Sequence, residues 1–136
     1  MRPGAHQLTY AWIEHTAELE LELEADDERA IFAAAVRAFA ELLDDEDDAP
    51  EVTRELELDA HDRAGLLVAL LEELVYLADT AAFVPHELVD ADLEARRAAV
   101  RGHTGAPPPL VKAVTYHRLE FRHEHGRWRA RVVLDV

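Results

Sequence analysis

Strict alternation of leucine and glutamate in residues 18–24 is the feature of this sequence that most constrains its fold. Leu19, Leu21 and Leu23 alternate with the four glutamates that run from Glu18 to Glu24. Successive side chains of a β-strand point to opposite faces of the sheet, so this pattern predicts a strand with one buried face. The glutamates are expected to face water. A strand of this kind needs a second layer to cover its leucines.

Two amphipathic helices are predicted to supply that layer. The first follows Asp26 and Asp27, which can cap its start, and the acidic run at residues 44–50 ends it. Its apolar positions recur at helical spacing: Ile31, Ala35, Ala38, Phe39 and Leu42. The second helix is predicted from about Asp62 to Asp79, where leucines and valines form a wide apolar stripe.

The remaining segments are predicted to be mainly β. Val52, Leu56 and Leu58 mark a strand, with a bulge between the first two left open. Residues 83–103 are expected to form two strands, although residues 91–100 (ADLEARRAAV) also fit a short helix. Three prolines make residues 105–110 a loop, because proline cannot donate to a β-ladder. Residues 113–121 and 128–134 then predict a hairpin.

These elements predict an α+β fold, a two-layer sandwich in which two helices pack on one face of a mixed β-sheet. With 136 residues and no internal repeat, the chain is expected to form a single domain over residues 1–136, with residues 1–8 as a loose N-terminal extension.

Composition excludes several classes of function. The sequence has no cysteine, which rules out disulfides, thiolate catalysis and cysteine-based metal sites. It has no glycine-rich phosphate loop and no nucleophile elbow. No run approaches the roughly 20 apolar residues of a membrane span, and the first residues lack the apolar core of a signal peptide. A cytoplasmic protein without membrane association is expected.

The acidic residues are concentrated in the first half of the chain. Residues 1–62 hold 19 of the 29 acidic residues but 4 of the 14 lysines and arginines, so they carry the entire net charge of −15. A protein that tracks a phosphate backbone needs a basic stripe, so direct binding of nucleic acid is not expected. The acidity suits a basic partner protein or a salt-rich cytoplasm, and the sequence does not separate these two explanations.

A few polar residues stand out as candidates for a functional role. Lys112 is the only lysine among 14 basic residues, and its ammonium can contact one oxygen in a site too tight for a guanidinium. His123 and His125 flank Glu124 as in a metal clamp, but histidines in so polar a turn are more often solvated. His15 and His117 fit partly buried, hydrogen-bonding histidines better than a general base.

Three motifs resemble those of the archease family. They are IEHTAEL at residues 13–19, VKAVTYHRLEF at residues 111–121, and VVLDV at residues 132–136. The family's opening motif reads Asp-His-Thr-Ala-Asp, its central block Lys-Ala-hydrophobic-Thr-Tyr, and its end an acid followed by an aliphatic residue. The resemblance spans nearly the whole chain in order.

The resemblance implies a function and a site. Archeases are accessory proteins, without chemistry of their own, of the RtcB-type RNA ligase that uses GTP and manganese. They promote guanylylation and multiple turnover of that ligase in tRNA splicing or RNA repair. By the resemblance, Glu18, Asp135 and Val136 bind a divalent cation, whereas Lys112, His15 and Thr16 serve activation of the partner.

The chemistry of these residues agrees with that implication. Carboxylate oxygens of Glu18 and Asp135, with the carbonyl or carboxylate of Val136, are hard ligands that suit calcium, magnesium or manganese. Glu14 and Glu18 stand where the family usually has aspartate, and flexible calcium coordination tolerates the extra methylene better than octahedral magnesium does.

Two other functions remain open from the sequence. One is a general chaperone or adaptor for nucleic-acid-processing enzymes. The other is a small metal-dependent hydrolase that uses Glu18 and His15 as acid and base.

Overall fold

The computed structural model of the protein describes residues 9–45 and 49–136. In chain order its elements are β1 (Thr9–His15), β2 (Glu18–Ala25), α1 (Glu28–Leu43), β3 (Glu51–Glu57), α2 (Arg63–Ala81), β4 (Phe83–Asp92), β5 (Arg97–Thr104), β6 (Ala113–Glu124) and β7 (Arg127–Asp135). The predicted extension at residues 1–8, and residues 46–48 of the acidic run, lie outside the described residues.

The α+β fold class is confirmed, with one difference in the sheets. The described strands form a four-stranded sheet of order β1-β2-β7-β6 and a three-stranded sheet of order β3-β5-β4. Every pairing in both sheets is antiparallel, where the sequence had predicted a single mixed sheet. Short turns join β1 to β2, β4 to β5 and β6 to β7, and strands joined by such turns pair antiparallel.

The core lies between these sheets and the two helices. Leu21 and Leu23 are buried as the alternation predicts, and α1 packs against β2 and β4 while α2 packs against β6 and β4. Phe32, Phe39 and Phe83 are fully buried at the centre. No helix among the described residues is long and apolar enough to cross a membrane.

Aspartates cap both helices, as predicted for the first of them. The Asp27 carboxylate accepts a hydrogen bond from the Ala30 amide at 2.8 Å, and Asp62 accepts one from the Gly65 amide at 2.7 Å. Each bond satisfies an amide that has no partner inside the helix, a contribution of about 1 kcal/mol. Asp44, in a left-handed conformation, ends α1 at the start of the acidic run.

Two of the alternatives left open by the sequence are wrong. β3 pairs with β5 from Glu51 to Glu57 without a bulge. The stretch that fitted a short helix, residues 91–100, comprises the end of β4, a turn at residues 93–96 and the start of β5. There the Asp92 carboxylate accepts a hydrogen bond from the Ala95 amide, and the left-handed backbone of Arg96 reverses the chain.

Candidate functional site

The outer face of the four-stranded sheet, which points away from the helices, carries the candidate site. Antiparallel register places one residue of each strand in a row across this face. In the rows remote from the site each glutamate of β2 lies opposite an arginine of β7: Glu24 opposite Arg129 and Glu22 opposite Arg131. Arg129 and Glu24 form an ion pair at 3.2 Å. Each of these two glutamates therefore has a positively charged residue directly opposite it on β7.

The last row breaks that pattern. It consists of His15, Glu18, Asp135 and Ala113, each directly opposite the next. Two acids therefore face each other with Cα atoms about 4.5–5.5 Å apart. Like charges at this spacing repel each other. We define these four residues as the terminal row, in which neither acid has an arginine or lysine directly opposite it.

Main-chain hydrogen bonds bring the other predicted residues to this row. The amide of Lys112 donates to the carbonyl oxygen of Asp135 at 2.8 Å, which extends the pairing of β6 with β7 by one residue. The amide of Val136 donates to the carbonyl oxygen of Ala17 at 3.1 Å, in the turn between β1 and β2. The backbones of Glu18, Lys112 and Val136 thus meet around Asp135.

The side chains of the predicted set are divided between two surfaces. Lys112 lines a cavity beside α2, and its ammonium forms no ion pair within 4.0 Å with any described residue. Thr16 is exposed in the β1–β2 turn. The imidazole Nε2 of His15 lies 3.3 Å from a carboxylate oxygen of Glu20, one row away from Glu18. The structure therefore brings the predicted residues to one end of the sheet without joining all of their side chains.

The donors in the terminal row fit a hard divalent cation. Glu18 and Asp135 offer carboxylate oxygens from opposite strands, and Val136 offers main-chain oxygen beside them. Over residues 9–45 and 49–136, no three His, Asp or Glu side chains cluster in a geometry that could by itself hold a metal ion. Because only two of the predicted ligands are carboxylate side chains, water would complete the coordination, as is common for magnesium and calcium.

A bulge in β6 adds two side chains beside the acids of β2: His117, which the sequence had already indicated, and Arg118, which it had not. Pairing with β7 slips between Thr115 and Glu120, and Arg118 within the bulge has a left-handed backbone. The bulge places the His117 imidazole 3.6 Å from Glu18 and the Arg118 guanidinium 3.0 Å from Glu20. His117 remains largely exposed, which differs from the expectation that it is a partly buried hydrogen-bonding residue.

Glu20 is buried, whereas the sequence predicted that all four glutamates face water. Burial tends to raise the pKa of its carboxyl. Hydrogen bonds with Glu22 and His15, together with the positive charges of Arg118 and Arg131, outweigh that effect and lower the pKa. The pKa of Glu22 is raised in turn, through its hydrogen bond with Glu20 and through desolvation. Glu20 is thus the ionised acceptor of this pair.

A second polar cluster lies in the three-stranded sheet and was missed from the sequence. His103 is fully buried; its Nδ1 lies 2.5 Å from Nε2 of His86, and its Nε2 lies 3.7 Å from Asp45. Asp45 also accepts a hydrogen bond from the Ala106 amide at 2.9 Å. Through the contacts of Asp45, this cluster connects the start of the acidic run with β5 and the loop that follows it. Nothing in the spacing of the three side chains along the sequence indicates that they meet.

Comparison with known proteins identifies the family. The model of the archease protein family matches residues 10–136. The chain belongs to the archease family. Among curated archeases, that of Methanosarcina mazei is 30% identical, over 93% of this chain and 95% of its own. That of Methanopyrus kandleri is 33% identical, over 91% and 96%. A probable archease of Mycobacterium tuberculosis is 35% identical, over 91% and 73%.

Solved structures confirm the archease fold. A crystal structure from Thermotoga maritima, described as that of an archease and possible chaperone, superposes with a TM-score of 0.69 at 19% identity, over 91% of this chain and 94% of its own. A solution structure of a protein from Methanobacterium thermoautotrophicum gives a TM-score of 0.65 at 26% identity, over 93% and 98%.

Proposed function

We propose that this archease is a non-enzymatic, metal-binding activator of an RtcB-type RNA ligase, promoting guanylylation and multiple turnover of the ligase in tRNA splicing or RNA repair in the cytoplasm. The observation that carries the proposal is the terminal row. It contains the Glu18–Asp135 pair, and main-chain hydrogen bonds place the backbones of Lys112, the only lysine of the sequence, and Val136 beside it.

The role of the cation follows from the charge of this row. A bound calcium, magnesium or manganese ion would supply positive charge between Glu18 and Asp135 and fix the orientation of both carboxylates. Glu18 and Asp135 lie on neighbouring strands, so their backbone positions are fixed before a metal arrives. The His117 imidazole lies 3.6 Å from Glu18, so a cation bound by that carboxylate would displace or reposition this side chain.

Lys112 contributes a charge that stays available to a partner. Its main chain is fixed to Asp135, while its ammonium has no ion-pair partner within the described parts of the chain. An ammonium in this setting can bind a carboxylate or phosphate oxygen of the ligase. These positions support separate roles, in which Glu18 and Asp135 bind the cation and Lys112 contacts the ligase.

Guanylylation of the purified cognate ligase tests the proposal directly. With manganese and GTP, the wild-type archease should accelerate formation of the guanylylated ligase at substoichiometric concentration. Lys112→Ala and Asp135→Ala should each remove most of that effect. Asp59→Ala is the matched control, because Asp59 is an exposed acid that forms no hydrogen bond or ion pair within the described segments.

Unchanged ligase turnover in the presence of the wild-type protein would contradict the proposal. If the same preparation suppressed aggregation of an unrelated client without affecting the ligase, a general chaperone or adaptor would be the better description.

A further inference from the structure

A groove beside α2 is a second concave surface, separate from the outer face that carries the terminal row. It encloses about 770 Å³ between the second half of α2 and residues 107–114. Phe39, Leu43 and Val114 form its buried floor. We call this feature the α2 groove.

The walls of the α2 groove expose large apolar side chains. Tyr76 on α2 is 59% exposed and Leu110 on the opposite wall is 42% exposed. They are two of the five large apolar residues that the described chain leaves exposed, and both line this groove. Apolar surface of this kind, continuous with a concave floor, is typical of a binding surface for protein.

The proline wall restricts how an occupant can bind. Residues 107–109 are three consecutive prolines, which have no amide N–H and a fixed φ. This wall therefore cannot donate hydrogen bonds to an added β-strand, and its fixed φ angles reduce the conformational entropy that it loses on binding. An occupant must dock through its side chains, as an amphipathic helix does in an apolar groove.

The charges on the rim specify the occupant further. Glu72 and Asp79 are exposed on α2, two helical turns or about 10 Å apart, and both line the groove. Neither forms an ion pair within 4.0 Å in the described parts of the chain. Two acids at this spacing match two basic residues that lie two turns apart on a facing helix.

We propose that the α2 groove binds an amphipathic helix of a partner protein, with apolar side chains against Tyr76 and Leu110 and basic side chains against Glu72 and Asp79. A second copy of this chain fits poorly, because it brings a net charge of −15 and would place acidic residues against acidic residues. The inference rests on the proposed function in one respect, that the helix belongs to the ligase.

The groove and the terminal row are physically continuous. Lys112 lines the groove, and its amide is bonded to the Asp135 carbonyl of the terminal row. A helix seated in the groove would therefore hold the neighbouring part of the ligase next to Glu18 and Asp135. The α2 groove would thus anchor the ligase, and the adjacent terminal row would activate it. Mutations in one surface can therefore be tested separately from mutations in the other.

Titration of the ligase with archease variants tests the groove. Tyr76→Glu and Leu110→Glu should each raise the archease concentration for half-maximal guanylylation about tenfold or more, as loss of an interface anchor does. The maximal rate at saturation should be unchanged. Val52→Glu and Val89→Glu are the controls, since they add the same charge at valines that are 37% and 39% exposed outside the groove.

The outcomes separate the two proposals. If the wild-type protein fails to accelerate the ligase, the proposed function falls. If the wild-type protein accelerates it and the groove variants behave like the valine controls, the groove proposal alone is overturned. Circular dichroism of each variant verifies that α2 is still folded.

Crosslinking identifies what occupies the groove. A photoreactive phenylalanine analogue in place of Tyr76 should crosslink, in the mixture with purified ligase, to a ligase helix that carries apolar and basic residues. A crosslink to a second archease chain, or to a ligase segment without basic residues, would overturn the proposal. Glu72→Arg combined with Asp79→Arg should weaken the crosslink, as expected if the acids contact basic residues.

Discussion

The main-chain amide of Lys112 donates a 2.8 Å hydrogen bond to the main-chain oxygen of Asp135. This bond fixes the two residues at the same end of the four-stranded sheet, although their side chains serve different surfaces. Asp135 shares the outer face with Glu18, while Lys112 lines the α2 groove. A partner that reaches this end of the sheet can contact both residues at once.

Asp135→Asn should weaken divalent-cation binding about tenfold, because it removes one of two carboxylates in the terminal row. Thermal unfolding with increasing calcium or manganese measures the effect, since a ligand of the folded state raises the melting temperature. Asp59→Asn, an exposed acid remote from the row, is the control and should respond like the wild type. Equal metal stabilisation of the wild type and Asp135→Asn would remove Asp135 from the ligand set.

Asp135→Asn should increase the stability of the protein when metal is absent. In chelator, Asp135→Asn relieves the repulsion with Glu18 and should stabilise the fold by a few tenths of a kcal/mol up to about 1 kcal/mol. Denaturant unfolding in chelator measures this free energy. A destabilised variant under these conditions would mean that the two carboxylates do not repel each other in the folded protein.

Glu20→Gln and Glu22→Gln should change stability in opposite directions at neutral pH. The lowered pKa of Glu20 means that its ionised form stabilises the fold above the usual carboxyl range, and that this is lost as pH falls through the folded-state pKa. Glu20→Gln should therefore destabilise by about 1.5–3 kcal/mol, the range for a hydrogen bond to a charged group.

The raised pKa of Glu22 has the opposite consequence. The stabilisation linked to its proton is present below the usual carboxyl range and is lost as pH rises through the raised pKa. Glu22→Gln retains a donor to Glu20 without the second charge, so it should stabilise the fold at neutral pH. Urea unfolding across acidic and neutral pH measures the free energy of unfolding of both variants. An identical pH profile for the two would refute the hydrogen bond between Glu20 and Glu22.

Gly102→Ala should destabilise the protein by about 3 kcal/mol or more. A Cβ at this position would collide with the carbonyl oxygen of Val84 and lie 2.8 Å from the ring of Phe83, both of which are buried. Gly126→Ala is the matched control. Its Cβ meets open space and its positive φ costs only about 1–2 kcal/mol. Denaturant unfolding should rank the two variants in that order; the reverse ranking would place β4 and β5 further apart.

Asp45→Ala should destabilise the fold by about 1–3 kcal/mol, because it removes a carboxylate 3.7 Å from the buried His103 and the acceptor of the Ala106 amide. Hydrogen exchange should then show faster exchange of the Ala106 amide than in the wild type. Asp59→Ala serves as the control for a lost surface acid. Unaltered exchange at Ala106 would show that Asp45 does not hold this loop.

Local patterns in the sequence predicted the elements well. The alternation around Leu21 and Leu23 gave β2 and its buried face, since period two leaves little choice once one face is apolar. Asp26 and Asp27 marked the start of the first helix, because capping depends on neighbouring residues alone, and the apolar stripe placed the start of the second near Asp62. The division into two sheets was not predictable in this way. β3 pairs with β5, although α2 and β4 lie between them in the sequence. Which strands pair at such a separation is decided by tertiary packing, which local patterns do not report.

The site was predictable only through the family motifs. Glu18 and Asp135 are far apart in the sequence, and their register is decided by the pairing of whole strands. The contacts of His117 and Arg118 depend on a β-bulge between Thr115 and Glu120. Glycine often marks a bulge, but residues 115–120 contain none. Burial of Glu20 could not be anticipated either, since its position in the alternation indicated a water-facing side chain.

β7 follows all the other described strands along the chain, yet it lies inside the four-stranded sheet, between β2 and β6. While residues 127–135 are still being synthesised, β2 and β6 have no common neighbour, and the terminal row has no Asp135. The emerging polypeptide therefore cannot bind metal in the proposed way or present an assembled row to a ligase. Completion of β7 is the step at which a nascent chain is expected to become competent, so premature termination should yield an inert product rather than a partial activator.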